Sequence, residues 1–343
     1  MKKIKSKAVR VKLKDIEKTK NDLKKKRLID DKLKILKKDG FGYIPVIRDT
    51  NLETADVFFE KNKEKIDSYK ESIDIPDKIR KSLPSSFDII GEIAVIKLDN
   101  NINKYKKEVG EAILKTNKNI KTVCMVDPIS GQYRTRNIEI IAGIDKTKTI
   151  HKEFNLSFFV DIKSTYFSPR LANERKRIAD LVKDDETIVD MFTGVAPFPI
   201  MICKYSNPKI IYAIDKNKDA IDLAKVNIRK NKAYDKIKLI CDNSKNVKKL
   251  IGSVDVDRVI MNLPFSSFDF FSYALDLVSG KTIIHYYGII NEDKIESRIK
   301  DLEKIAITKN ISFEKCKVFR IKSYSPREFY IGIDITAKKE VPM

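Results

Sequence analysis

Thr187-Ile-Val-Asp-Met-Phe-Thr-Gly-Val-Ala-Pro-Phe-Pro199 starts as a short apolar run, ends that run on Asp190, turns at Gly194 and enters a helical pattern at Pro197. An apolar strand that runs into a glycine-containing turn and then a helix is the form of a nucleotide-type cofactor loop. Glycine lets the backbone approach a ligand, and the start of the helix offers unpaired N–H groups. The dinucleotide pattern G-x-G-x-x-G is not met, because Ala196 stands where the second glycine belongs. A P-loop is not met either, since no Gly-Lys-Ser/Thr follows. An acid at the end of the first strand suits a cationic cofactor better than a pyrophosphate.

Outward from this loop the pattern is regular. Strands predicted at 187–190, 210–215, 237–242, 258–262 and 282–287 alternate with helical stretches at 219–230, 268–278 and 293–305. This predicts an α/β fold, an open and mostly parallel doubly wound sheet. Two late strands, 313–321 and 329–335, flank Ser323-Tyr-Ser-Pro-Arg-Glu328. That turn is too short for a parallel crossover, so the last strand is expected to be antiparallel. Ligands of such sheets lie beyond the carboxyl ends of the strands. Asp215, Asp242 and Asn262 fall there. Acids in those places accept ribose hydroxyls and the exocyclic adenine amine, and no phosphate-cradling lysine is present. An adenosine cofactor without phosphates fits, and S-adenosylmethionine, with its sulfonium, is that cofactor. Met261-Asn-Leu-Pro264 closes the fourth strand, where an Asn amide can both donate to and accept from a planar nitrogen substrate.

The 343 residues carry a formal net charge of +21, with a pI near 9.5. Residues 1–50 hold 18 Lys and Arg against 7 Asp and Glu. Such a surface points to nucleic acid, against the plainer alternative of a proteome rich in lysine throughout. Three parts are predicted: a basic α+β module at 1–72, a middle α+β module at 73–165 and the Rossmann-like domain at 166–343. Within the first, 8–13 reads as a half-buried strand, 15–28 as a helix, Asp39-Gly40 as a turn, and 50–75 as a polar linker with some helix. Four scattered cysteines offer no metal spacing and fit a reduced, cytoplasmic protein, and two histidines are too few for histidine-based metal or triad chemistry. No run of apolar residues is long enough to span a membrane.

Two features are ambiguous from residues alone. Arg134 and Arg136 share one strand face, and pair either with an anion or with acids such as Glu139 or Glu153. Ser168-Pro169 starts a helix, with serine as cap, in which Glu174 is by default a solvated salt bridge to Arg170 or Arg177.

Taken together, Tyr133-Arg-Thr-Arg136, Thr149-Ile-His-Lys152, Tyr166-Phe-Ser-Pro-Arg-Leu171 with Glu174-Arg175, Asp190-Met-Phe192 with Gly194, Tyr212-Ala-Ile-Asp215, Val259-Ile-Met-Asn-Leu-Pro264, His285-Tyr-Tyr287 and Ser323-Tyr-Ser-Pro-Arg-Glu328 resemble the archaeal and eukaryotic tRNA (guanine-37 N1)-methyltransferase family over nearly the whole chain. The resemblance implies a class I methyltransferase domain preceded by a tRNA-binding module and a middle module, acting as a monomer on tRNA. It implies that Glu174 is the general base for the N1 proton, that Arg134 stabilises charge developing on O6, and that Asn262 holds the base edge. It places Arg175, Asp190, Phe192, Gly194, Asp215, Lys216, Asp242, Asn243, Asn262, Leu263 and Pro264 at the cofactor. Arg134, Arg136, Arg170, Phe265 and Arg327 fall to the substrate, and no metal is implied. The chemistry is coherent: N1 of neutral guanine carries a proton, so a base must act before or during methyl transfer. The charge that spreads onto O6 then needs a fixed cation.

Two departures stand out. Ala196 is expected to narrow the cofactor loop, and Phe265-Ser-Ser-Phe268 replaces a basic or proline-containing segment, so that either Phe stacks a flipped base or packs in the core. The alternatives are a wyosine-pathway aminocarboxypropyl transferase on the same fold, added activity on a wyosine precursor, and a non-catalytic basic RNA-binding protein.

Overall fold

The computed structural model describes residues 3–60, 68–126 and 137–340. Contacts between Cα atoms divide the chain into two compact units, Met1–Ser72 and Ile73–Met343. In the first, β1 (Ile4–Lys12), α1 (Ile16–Lys25), β2 (Leu36–Lys38), β3 (Phe41–Pro45) and β4 (Thr54–Phe59) form an antiparallel sheet ordered β2-β3-β1-β4 under one helix. Leu23 of α1 closes on Val9, Ile44 and Val46. Asp39 and Gly40 both take positive φ, 49° and 76°, as a two-residue hairpin turn requires. The expected linker is corrected here. Thr54–Phe59 is an edge strand on β1, with Ala8 opposite Ala55. Its outward positions, Thr54, Asp56 and Phe58, are exposed, and the two polar ones hid the alternation.

The second unit opens with α2 (Asp77–Ser82), then β5 (Asp88–Ile90), β6 (Ile93–Ile96), α3 (Lys106–Thr116), β7 (Thr122–Val126) and β8 (Ile138–Gly143). Their sheet runs β5-β6-β7-β8, with β6 and β7 parallel across α3. A hairpin of β9 (Lys148–Glu153) and β10 (Leu156–Asp161) follows. After α4 (Ala172–Leu181) come β11 (Thr187–Asp190), α5 (Pro197–Tyr205), β12 (Ile210–Asp215), α6 (Lys218–Lys230), β13 (Ile237–Cys241), α7 (Val247–Ile251), β14 (Arg258–Met261), α8 (Ser267–Leu275), β15 (Lys281–Asn291), α9 (Ile295–Ile307), β16 (Ile311–Ser325) and β17 (Glu328–Lys339). The seven-stranded sheet is ordered β13-β12-β11-β14-β15-β17-β16. Its first five strands are parallel and β17 is antiparallel to both neighbours, as the short turn requires. Strand order reverses at β11 and β14, both buried along their whole length, and this reversal opens the crevice for a ligand.

Hairpin β9–β10 docks onto α6 through asparagines. Asn227 Oδ1 accepts the Phe159 N–H at 2.6 Å, and Asn227 Nδ2 donates to the Phe159 and Val195 carbonyls, each at 3.1 Å. Asn231 repeats the arrangement on Ser157. Val126, Phe158, Ile178, Phe198 and Ile260 share one core, so the small sheet, the hairpin and the Rossmann-like sheet pack as a single body. No helix among the described residues is long and apolar enough to cross a membrane.

Gly143 closes β8 at φ 89°, and a Cβ there would overlap the Lys121 carbonyl oxygen. Left-handed strain and overlap together predict that Gly143→Ala costs about 3 kcal/mol. Gly280, with open space around it, is the control and is expected to tolerate Ala. Urea unfolding midpoints of the two variants check this.

Candidate active site

The strand-end loops enclose a cavity of 490 Å³, within the range of small-molecule sites. Asp215, at the end of β12, is fixed by backbone: Oδ2 accepts the Gly194 N–H at 2.7 Å and Oδ1 the Asn217 N–H at 2.9 Å. Gly194 has φ 53°, which lets the loop bend back onto that carboxylate. Asn217 and Asn243 cap the following turns through their Oδ1 atoms, and both line the cavity. Phe192 and Phe270 meet edge to face at 5.0 Å on its wall. Arg175, Lys216, Asn262 and Leu263 are further wall residues that sequence reasoning placed there. Burial pulls the Lys216 ammonium below its ordinary value, and Asp215 opposes that shift.

Ser168 and Thr193 also line the cavity, and the Ser168 hydroxyl oxygen is buried without a partner. Asp215, the Ser168 hydroxyl, three amides and two aromatic rings fit an adenosine-type, phosphate-free cofactor, while the Thr193 hydroxyl is turned towards Asp190. Ser168 stands before the turn Pro169–Leu171 but makes no side-chain cap, which corrects the cap expected of it. Its carbonyl instead receives Arg175 Nη1 at 3.2 Å.

Asp190, Asp242 and Pro264 do not line this cavity. Asp190 is fully buried under the loop, where Oδ1 accepts the Phe192 N–H at 3.3 Å and Oδ2 has no partner. Burial pushes its carboxyl from 3.8 up to about 7, and the Thr193 hydroxyl and the Phe192 N–H offset only part of that. Asp242 turns to the Asn243 N–H at 2.6 Å and Asn246 Nδ2 at 2.9 Å. Ala196 is not on the wall either. It is buried, with φ 65° at the start of α5, so the expected narrowing is replaced by a left-handed alanine.

Pro264 lines a second cavity of 250 Å³, together with Arg170, Tyr324 and Tyr330. Tyr166 and Phe265 belong to the walls of both cavities. Arg170 is bonded to Asp88. Phe265 is half exposed against Tyr324, whereas Phe268 packs on the core under Arg298, which divides the two roles left open for that pair. Arg327 is exposed in the β16–β17 turn at φ 76° and lines neither cavity. Arg134 and Arg136 lie outside the described residues. The acids first offered to them have other partners: Glu139 pairs with Lys106 at 2.6 Å and Glu153 with Arg175. Arg175 donates Nε and Nη2 to the two Glu153 oxygens at 2.7 and 2.5 Å, both side chains nearly inaccessible. Burial works against charge on Glu153, yet bonds from His151 and Arg175 hold its carboxyl below the ordinary value.

Glu174 is buried and set back from both walls. The salt bridge to Arg177 is present, but Glu174 is buried in it rather than solvated. Arg177 Nε reaches Oε2 at 2.8 Å and Nη2 reaches Oε1 at 2.7 Å, while Tyr287 Oη donates to Oε1 at 2.7 Å. Arg177 also grips Asp334 at 2.7 and 3.2 Å. Asp334 sits opposite His285 in the β15–β17 ladder and bonds His285 Nδ1 at 2.6 Å. Arg258 Nη1 lies 2.7 Å from His285 Nε2 and can only donate, so the ring is the neutral tautomer protonated at Nδ1. Burial, the largest influence, favours that neutral form. Arg258 ends the chain on Glu186 at 2.7 and 2.8 Å. This buried line was not legible in the sequence, although His285-Tyr-Tyr287 belongs to the matched motifs.

Residues 149–314 match the TRM5/TYW2 methyltransferase domain, 69–147 the TYW2 N-terminal domain and 8–52 the tRNA methyltransferase 5 N-terminal domain. The tRNA (guanine(37)-N(1))-methyltransferase Trm5b of Pyrococcus abyssi is 35% identical over 95% of this chain and 98% of its own. The chain belongs to the tRNA (guanine-37 N1)-methyltransferase family. The crystal structure of Trm5b from that organism superposes with a TM-score of 0.80 at 34% identity, covering 97% of this chain and 99% of that one. A complex of aTrm5 with tRNALeu gives 0.75 at 34% identity, over 96% and 99%. A tRNA(Phe) (4-demethylwyosine(37)-C(7)) aminocarboxypropyltransferase of Methanocaldococcus jannaschii is 30% identical over 71% of this chain and 95% of its own, so the methyltransferase likeness is both higher and more complete.

The site predicts one pH effect on stability. A carboxyl held at about 7 in the fold binds its proton more tightly there than in the unfolded chain. Stability contributed by protonated Asp190 is therefore full below its ordinary value and is lost as pH rises towards 7. Asp190→Asn is expected to gain melting temperature relative to the unsubstituted protein across that window, measured by calorimetry in a pH series.

Proposed function

We infer that this protein transfers a methyl group from S-adenosylmethionine to N1 of guanosine 37 in tRNA. The observation that carries the reading is Asn262. It lines the cofactor cavity and is hydrogen-bonded to Tyr330, which lines the second cavity, so one side chain stands between a donor site and an acceptor site. S-adenosylmethionine, when bound, supplies an electrophilic methyl on a sulfonium. Asp215, Asn243 and Ser168 hold its polar edges, and Phe192 and Phe270 its apolar ones. The second cavity, with Phe265, Tyr166 and Tyr324, receives the guanine, which Arg170 approaches from the side.

In this reading Glu174 takes the N1 proton, leaving the electron pair on nitrogen for the methyl, and Arg134 neutralises charge on O6. Asn262 holds the base edge. Asp190 acts through the loop rather than on the cofactor. The unit Met1–Ser72 grips the tRNA body, which gives a use to the charge excess of residues 1–50. The division into 1–72, 73–165 and 166–343 is then one of labour: RNA capture, support of the base pocket, and cofactor binding.

Transcripts carrying G37 or A37, incubated with methyl-labelled cofactor and digested to nucleosides, test this. Label in 1-methylguanosine from the G37 transcript alone is the expected result. Label transferred from the carboxypropyl arm instead would assign the aminocarboxypropyl reaction. Glu174→Gln is expected to lower the single-turnover rate at least a hundredfold, in keeping with loss of a general base, while cofactor and tRNA affinities hold. An unchanged rate overturns the role given to Glu174.

A further inference from the structure

Glu174 and Asn262 stand on different elements, α4 and the turn after β14, yet one pair of rings reaches both. Tyr287 Oη donates to Glu174 Oε1 at 2.7 Å, and Tyr330 Oη is bonded to Asn262 Oδ1. The two rings are neighbours, with centroids 6.0 Å apart, on the adjacent antiparallel strands β15 and β17. Both are buried, and Phe198, a wall residue of the cofactor cavity, lies 6.1 Å from Tyr287. Neither tyrosine lines the cofactor cavity.

The two Glu174 oxygens are not equivalent. Oε1 accepts from both Tyr287 and Arg177 Nη2, whereas Oε2 accepts only from Arg177 Nε. A carboxylate oxygen carries two lone pairs, so Oε1 is saturated and Oε2 keeps one acceptor position. The groups that face Glu174 are Arg177 from its own helix, Tyr287 from β15 and, across Arg177, Asp334 from β17; Tyr330 faces Tyr287. Along the whole line, three carboxylates (Glu174, Asp334, Glu186) meet two guanidiniums (Arg177, Arg258) and one neutral imidazole. That imbalance leaves negative charge, and Glu174 is the end of the line that adjoins the wall residue Arg175.

We propose that Tyr287 and Tyr330 are positioning residues that hold Glu174 and Asn262 in register, Tyr287 by occupying Oε1 so that Oε2 is the oxygen that accepts the N1 proton, and Tyr330 by fixing the Asn262 amide. The proposal rests on the reading of Glu174 as general base. In the step concerned, the N1–H bond breaks, the proton goes to Oε2, and the electron pair remains on N1.

The test uses the full chain, a tRNA transcript with G37 and saturating S-adenosylmethionine, and reads single-turnover rates over a pH series. Tyr287→Phe removes a donor from a carboxylate, which makes the carboxylate more basic. Its acid limb is expected to move to higher pH, with a rate loss of roughly tenfold on the plateau and unchanged cofactor affinity. Tyr330→Phe is expected to lower the plateau without moving the acid limb, because it does not touch Glu174. Replacing Tyr287 with 3-fluorotyrosine keeps the ring and strengthens the donor, so its acid limb moves to lower pH, and this variant serves even if Tyr287→Phe folds poorly. Acid limbs that superimpose on the unsubstituted protein for both Tyr287 replacements overturn the proposal. If Glu174→Gln is inactive while those limbs stay fixed, the positioning inference alone fails. If Glu174→Gln keeps its rate, the base assignment fails and the positioning role falls with it.

Discussion

A buried line of charge under the Rossmann-like sheet constrains the rest of this molecule. Glu186, Arg258, His285, Asp334, Arg177 and Glu174 run as neighbours across β14, β15, β17 and α4, each bonded to the next. A charge removed from water is tolerated only with a partner in good geometry, and taking away one partner typically costs about 3–5 kcal/mol. Arg177 shows the balance. Burial works against its charge, but carboxylates on either side raise its pKa far above the ordinary value. Asp334 is held well below the ordinary carboxyl range against burial by His285 and Arg177. The line therefore fixes the spacing of α4 against the sheet, and α4 in turn carries Arg175 onto the wall of the cofactor cavity. Arg175, one residue after Glu174, carries the same logic outward by gripping Glu153 on the hairpin.

Much of the fold was legible because apolar runs and strand-end acids repeat at regular intervals from residue 187 onward. The alternation of strand and helix, the mostly parallel sheet and the antiparallel last strand follow from spacing and from the length of one turn, whereas the reversal at β11 and β14 is seen only in the strand order. The edge strand Thr54–Phe59 was not legible. Asp56 faces solvent beside Lys5, and a short strand that is polar at its outward positions has the composition of a linker.

The cofactor cavity was more legible than the acid–base chemistry. Asp215, Asn243 and Asn262 sit at strand ends, where topology alone brings them together. Asp190 and Asp242 sit at strand ends too, yet bond to nearby backbone and side-chain N–H groups, and which acid faces the cavity depends on loop geometry that a sequence does not print. Glu174 was open to two readings. The plain ion pair with Arg177 exists, and the carboxylate still keeps a free acceptor position on Oε2. The pairing of Tyr287 with Tyr330 joins residues 43 apart in sequence through strand register, which appears only once β15 and β17 are laid side by side. Ala196 marked a departure in the glycine pattern, but its effect is on backbone conformation, not on cavity width.

Strand β17 has a place in time as well as in space. It inserts between β15 and β16, and follows every other strand of the sheet in chain order. Asp334 and Tyr330 both belong to it, so the second grip on Arg177 and the bond to Asn262 are completed only by the last of this sheet's strands. Until then β15 has an unpaired edge, Arg177 lacks Asp334 and Asn262 lacks Tyr330. A nascent chain that has not yet made β17 therefore lacks both contacts, however much of the parallel sheet it has already formed.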